Sequence, residues 1–171
     1  HTDAGMMSVG ASYVTTAGDT TVTIGGGYGA GETAKTGTQG PDPENFNIGV
    51  SAVTGNLTVG VGFGDGDQVN DEGGGTYEQV DGSVVTAGIK YVTGDITLAL
   101  GATSGEAKDS TTIGTAGTTD DSVDSMSASV TYSVASGVSA VLGYTTVDRN
   151  NEGAATTDDG SAWYVGATMS F

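Results

Sequence analysis

Alternation of apolar and small polar residues runs through most of this 171-residue chain and restricts it to a fold built from β-strands. In the segment ITLALGAT, Ile96, Leu98 and Leu100 fall on one side of a strand, whereas Thr97 and Gly101 fall on the other. Successive side chains of a strand point to opposite faces, so such a segment has one apolar and one small, polar face. No segment shows helical periodicity. The pattern predicts an all-β, antiparallel protein.

Tight turns divide the alternating segments into hairpins. The turns lie at 17–19, 55–56, 94–95 and 136–137, and each contains a glycine, which accepts the positive φ that a short hairpin connection requires. Between the hairpins, longer stretches rich in Gly, Asp, Glu, Thr and Asn are typical of loops, and they cover about residues 30–44, 65–81, 104–121 and 148–160. Nine strands are predicted, at about residues 6–16, 20–29, 45–53, 57–64, 83–92, 96–104, 123–134, 138–147 and 161–171.

The charged residues indicate which face meets which environment. A soluble sheet covers its exposed face and edges with Lys and Glu, but here the alternating segments carry few charges and the acidic residues concentrate between them. The sequence has no apolar run of 18 residues, which excludes a transmembrane helix, whereas a membrane β-barrel needs strands of only ~9–11 residues with every second one apolar. We therefore predict an antiparallel transmembrane β-barrel with its apolar face toward lipid and its polar face toward water, in a single domain over residues 1–171.

Aromatic residues supply a second indication, because membrane barrels gather them into girdles at the two water interfaces. All nine candidates fall on the apolar face and at strand ends. Those beside the short turns are Tyr13, Tyr91, Tyr132 and Phe171, and those beside the long loops are Tyr28, Phe46, Phe63, Tyr144 and Trp163.

The opposite face is predicted to line a pore. Its glycines remove side-chain volume and leave room for water, although glycine also bends strands. The predicted pore-lining residues are Thr58, Gly60, Gly62, Thr86, Gly88, Lys90, Thr97, Gly101, Ser127, Ser129, Thr131, Ser139, Gly143 and Tyr164. Lys90 has two interpretations: it contributes to a transverse field that orients polar solutes, or it pairs with one of the many carboxylates.

The terminal segment SAWYVGATMSF resembles the closing strand of bacterial outer-membrane barrels, and the repeated hairpins of the type YVTGDITLALG resemble general diffusion porins of alphaproteobacteria, within the Gram-negative porin family. The resemblance implies an outer-membrane location, contacts with membrane lipid and lipopolysaccharide, and a homotrimer of sixteen-stranded barrels with short periplasmic turns, long external loops and a constriction loop. It also implies that the barrel-assembly machinery recognises Phe171.

Nine strands is an odd number, whereas single-chain bacterial barrels have even numbers. Counted back from the C-terminus, the nine match the last nine of sixteen, so the chain is similar to the C-terminal half of a porin, and the constriction loop would belong to the other half. A rival count omits a strand at 6–16 and gives an eight-stranded barrel, whose interior would be filled by side chains.

The composition limits other functions. Asp and Glu number 21 against four Lys and Arg, giving a formal charge of −17, which argues against a nucleic-acid partner. The chain lacks cysteine and its single histidine is His1, so no Ser/His/Asp or cysteine nucleophile can be assembled, and we expect neither an enzyme nor a required cofactor. Oxygen ligands at short spacing suit calcium, and a Ca²⁺ site is the alternative to solvated loop tips for Asp65, Asp67, Asp71 and Glu72.

Together these features predict a passive, water-filled channel for small hydrophilic solutes and ions, with a preference for cations because of its acidic loops. Two alternatives stay open at this point. One is a small, non-conducting outer-membrane barrel for adhesion or anchoring, and the other is a secreted, calcium-binding, β-rich adhesin.

Overall fold

The computed structural model describes residues 5–32, 42–73, 76–110, 119–150 and 157–170. These residues form nine strands. Their bounds are β1 (Met6–Ala17), β2 (Thr20–Gly31), β3 (Glu44–Thr54), β4 (Leu57–Gly73), β5 (Thr76–Thr93), β6 (Ile96–Ser110), β7 (Thr119–Ala135), β8 (Val138–Asn150) and β9 (Thr157–Met169). The described residues include no helix that is long and apolar enough to cross a membrane.

The nine strands form one sheet in which each strand pairs with its neighbours in sequence, always antiparallel. β1 and β9 are the two edges and make no contact with each other, so the sheet is not closed. β1 pairs with β2 from Met6 to Ala17, which shows that the rival count without a first strand is wrong. The all-β, antiparallel fold predicted from the alternation is confirmed.

The described residues form no second layer over the sheet. Among the described residues no apolar side chain is buried, and Val61, Leu100 and Met126 on the apolar face are 56%, 58% and 66% exposed. A soluble domain hides such a face in a core, because apolar area gains about 25 cal/mol per Å² on leaving water. The face therefore requires an apolar medium outside the chain.

Glycine determines the four short turns. Gly18, Gly55 and Gly94 have φ of 60°, 53° and 57°, and the residues that follow them do not have positive φ. A two-residue loop with positive φ at its first position is a type II′ turn, which matches the twist of the flanking strands. In the last turn Gly137, with φ of 76°, follows Ser136, and the register of the adjacent strands shifts between Ser133 and Ala135.

The strands are longer than the sequence predicted. β4 continues to Gly73 and β5 begins at Thr76, so most of the predicted loop 65–81 is wrong, and β6 and β7 likewise take over much of the predicted loop 104–121. Gly and Asp are depleted in strands, which is why these segments resembled loops. Main-chain hydrogen bonds between strands do not depend on side chains, however, and the pairings of β4 with β5 and of β6 with β7 continue into these segments.

Candidate functional site: the polar face

The strand registers bring the predicted pore-lining residues onto one face of the sheet, here called the polar face. One row crosses six strands through consecutive register partners. It consists of Thr58, Lys90, Ala99, Ser129, Gly143 and Tyr164. Residues two positions away along each strand share this face, which accounts for the remaining predicted positions from Gly60 to Ser139. That this face borders water remains a prediction.

Glycines align in the next row of the polar face. Gly60, Gly88 and Gly101 are register partners on β4, β5 and β6, and Ser127 and Thr145 extend the row onto β7 and β8. A Cβ atom at Gly60 or Gly88 would find its nearest neighbour 3.5 Å away, which is ordinary contact. Packing therefore does not require glycine at these two positions. Their effect is to leave these positions of the polar face without side-chain volume, and any larger residue would project from the sheet.

Tyr164 lies over Gly143 on the polar face. The two are register partners on β9 and β8, and a Cβ atom at Gly143 would overlap the Tyr164 ring. Gly143 is consequently buried although it lies in a single-layered sheet. Sequence reasoning assigned both residues to this face but missed their contact. The signal was the pairing of a glycine with an aromatic residue across two strands, and it becomes visible only once the register is known.

Replacing Gly143 with alanine should push the Tyr164 ring away from the wall and lower the single-channel conductance modestly. The added methyl group would occupy the position of the ring, so the ring has to move, and the Tyr164 side chain is 44% exposed on this face. The double variant Gly143→Ala with Tyr164→Ala should restore the conductance. Gly88→Ala is the matched control, because its Cβ atom meets ordinary contacts. Equal effects of Gly143→Ala and Gly88→Ala on the conductance would contradict the inference that Gly143 makes room for the Tyr164 ring.

Two basic residues lie on the polar face at different heights. Lys90 is exposed, and its register partners Thr58 and Ala99 carry no charge. Arg149 lies near the long-loop end of β8, where its register partner on β9 is Asp158. The polar face thus carries a positive charge between two uncharged residues at Lys90, and a cation opposite a carboxylate nearer the long loops.

The aromatic residues lie on the opposite, apolar face. At the long-loop end, the ring centroids of Phe46 and Phe63 are 5.6 Å apart and those of Tyr144 and Trp163 are 4.6 Å apart. The Tyr28 hydroxyl donates a hydrogen bond of 2.7 Å to Glu44 Oε2. Toward the short turns lie the exposed residues Tyr13, Tyr91 and Tyr132, whereas Phe171 is outside the described residues.

The candidate calcium ligands do not occupy a loop. Asp65 and Asp67 extend from β4 on the same face as Phe63, and Asp67 Oδ1 accepts a 2.8 Å hydrogen bond from the main-chain N–H of Glu44. The side chains of Asp71 and Glu72 are outside the described set. Within the described ranges, no group of three or more His, Cys, Asp or Glu residues is arranged to hold a metal ion. The calcium site stays a prediction, but its four residues lie in strand β4 and not in the loop from which the site was predicted.

Comparisons with known proteins agree with this geometry. The family model for Gram-negative porins matches residues 1–152. The fold is similar to that of OmpT, an outer membrane protein of Vibrio cholerae: the in-vitro folded trimer form has a TM-score of 0.64 at 18% identity, covering 96% of this chain and 56% of the other. The outer-membrane expressed form has a TM-score of 0.60 at 19% identity, with the same coverage. The chain thus spans about half the length of these proteins, and no curated protein matches it by sequence.

Proposed function

The chain belongs to the Gram-negative porin family of the bacterial outer membrane, and we propose that it forms the wall of a passive, water-filled channel for small hydrophilic solutes and ions. The observation that carries the proposal is the polar face. Glycine and small hydroxyl residues align across successive strands there, opposite a face whose apolar side chains are exposed. In a membrane barrel this division places the small side chains around water and the apolar ones against lipid. We assign no catalytic step to the wall.

Closure of the barrel needs further strands in this proposal. Because neighbouring strands are antiparallel throughout, β1 and β9 run in the same direction, and direct pairing of the two edges would be parallel. An odd number of additional strands between β9 and β1 makes every junction antiparallel. Seven more give the sixteen strands that the porin resemblance implies. The share of OmpT that the chain covers, 56%, supports this number, and the trimer form of OmpT supports a homotrimer.

A planar-bilayer recording of the purified protein tests the channel and its ion preference. We expect discrete conductance steps and, in a potassium chloride gradient, a reversal potential of the sign that a cation-preferring pore gives. The physical reason is the formal charge of −17, which raises the concentration of cations at the channel mouth. The preference should weaken as ionic strength rises, because salt screens exposed carboxylates.

Each failure has a separate meaning. Anion preference would contradict the cation proposal but leave the channel intact. Stable insertion without conductance steps would contradict the channel and favour a non-conducting barrel for adhesion or anchoring.

A further inference from the structure

An apolar groove crosses the outer, apolar face of the sheet from β3 to β8, with a volume of about 650 Å³. One of its walls is a row of register partners that includes Val61, Ala87 and Ala102, and the other is the parallel row that includes Ile89 and Leu100. The floor is main chain, because the residues between the two rows point to the polar face. The side chains that border the groove are smallest where Ala87 and Ala102 pair directly.

The dimensions of the groove suit one extended hydrocarbon chain. Six strands at about 4.8 Å spacing make it about 24 Å long, and the two rows that border it are about 6.6 Å apart along each strand. The lining on both sides consists of aliphatic side chains and alanine over most of this length. An acyl chain lying along the groove would contact both rows over this length, whereas a flat protein surface would contact only the tops of the larger side chains.

The groove rises along the sheet. At β3 it passes Val50, four residues from the aromatic residue Phe46 in the direction of the short turn. At β8 it reaches Thr146, two residues beyond the aromatic residue Tyr144 in the direction of the long loop. Its β3 end therefore lies in the middle of the apolar band, and its β8 end lies at the level of the long-loop aromatic girdle. This is the course of a lipid whose tail is in the membrane and whose headgroup is at the interface.

An acidic pocket of about 570 Å³ continues the groove at its β8 end and shares Met126, Tyr144 and Thr146 with it. Asp124, Asp148 and Asp159 line this pocket. They are consecutive register partners on β7, β8 and β9, so three like charges stand directly opposite one another. Like charges in this arrangement are destabilising, and no Lys or Arg is among the described residues that line the pocket. A positive group in the pocket would relieve the repulsion.

We propose that the apolar groove and the acidic pocket together bind one membrane lipid with an amino headgroup, its acyl chain in the groove and its ammonium group among the three carboxylates. An ammonium group is favoured over a chelated metal ion, because no carboxylate group of the described residues is arranged to hold a metal. Ammonium donors can instead serve carboxylates spread along a row. The inference concerns the outer face and does not depend on conduction through the inner one.

Quenching of Trp163 fluorescence by brominated lipids measures binding at this site. Trp163 is the only tryptophan of the chain and lies beside the acidic pocket, where its ring packs against Tyr144. The protein is reconstituted in phosphatidylcholine vesicles that contain brominated phosphatidylethanolamine, phosphatidylglycerol or phosphatidylcholine at equal mole fractions. We expect phosphatidylethanolamine to quench Trp163 at a several-fold lower mole fraction than the other two, more clearly at low salt.

Two pairs of matched variants test the two parts of the site. Asp148→Asn with Asp159→Asn should abolish the headgroup preference, whereas Glu44→Gln with Glu106→Gln makes the same change in charge on the same face and should preserve it. Ala102→Leu fills the groove and should weaken quenching, whereas Ala140→Leu, on the same face outside the groove, should not.

Three results would overturn the proposal. Equal quenching by the three lipids would mean ordinary contact with bulk lipid. Stronger quenching by phosphatidylglycerol on addition of Ca²⁺ would mean that a metal ion bridges the carboxylates to a phosphate. A change of oligomeric state in Ala102→Leu without any change in quenching would mean that a second copy occupies the groove. Absence of conductance with retained lipid preference would defeat the channel alone.

Discussion

Leu100→Arg should destabilise the protein in a lipid bilayer by about 2–4 kcal/mol, whereas Thr103→Arg, three residues along the same strand, should change stability by much less. Leu100 lies on the apolar face and is 58% exposed, so an arginine there would face hydrocarbon. Thr103 lies on the polar face, between its register partners Thr86 and Ser125, and an arginine there would extend into water. The two variants add the same charge and place the same side chain on opposite faces of β6.

Reversible denaturant unfolding in vesicles measures the difference. The comparison between the two arginine variants is more informative than either value alone, since both introduce the same side chain and the same change in net charge. Leu100→Ala provides the control for lost apolar area without added charge. A larger loss of stability in Thr103→Arg than in Leu100→Arg would mean that the polar face is the one in lipid, and the assignment of both faces would be wrong.

The sequence predicted the features that local chemistry determines. Alternation at Ile96, Leu98 and Leu100 determines which face each side chain occupies, because the side-chain period of a strand is two and admits no intermediate orientation. Gly55 and Gly94 mark hairpin turns because few other residues adopt positive φ without strain. Strand number, order and facing therefore follow from the sequence, and the structure confirms them.

The ends of the strands and the contacts between strands were not predictable in the same way. Asp65 and Asp67 have low strand propensity. They nevertheless lie in β4, because the main-chain pairing between β4 and β5 continues through both residues. Asp124, Asp148 and Asp159 are far apart in the sequence and become neighbours only through two registers. Register depends on the whole sheet, so a site built across three strands leaves no local signal.

Lys90→Glu should raise the ratio of cation to anion permeability by about tenfold or more at low salt. In water, a unit charge about 5 Å from a passing ion contributes about 0.8 kcal/mol, with opposite signs for cations and anions. Reversal of the charge therefore favours the cation and disfavours the anion at the same point on the wall. The Lys90 side chain is exposed on the polar face, and its register partners in the described sheet, Thr58 and Ala99, carry no charge that would offset the change.

The reversal potential in a salt gradient measures this ratio, and Lys108→Glu is the matched control. Lys108 carries the same charge but lies on the outer face of β6, in the same alternation as Leu100. A channel lined by the polar face should respond to Lys90→Glu and hardly to Lys108→Glu, and the response should decrease above 0.1 M salt, where the screening length falls below about 10 Å. The opposite order would mean that ions pass along the outer face, and an equal shift would mean that only net charge matters. Because the reversal potential reports the ions that pass, this comparison tests the position of Lys90 in the channel independently of any effect on stability.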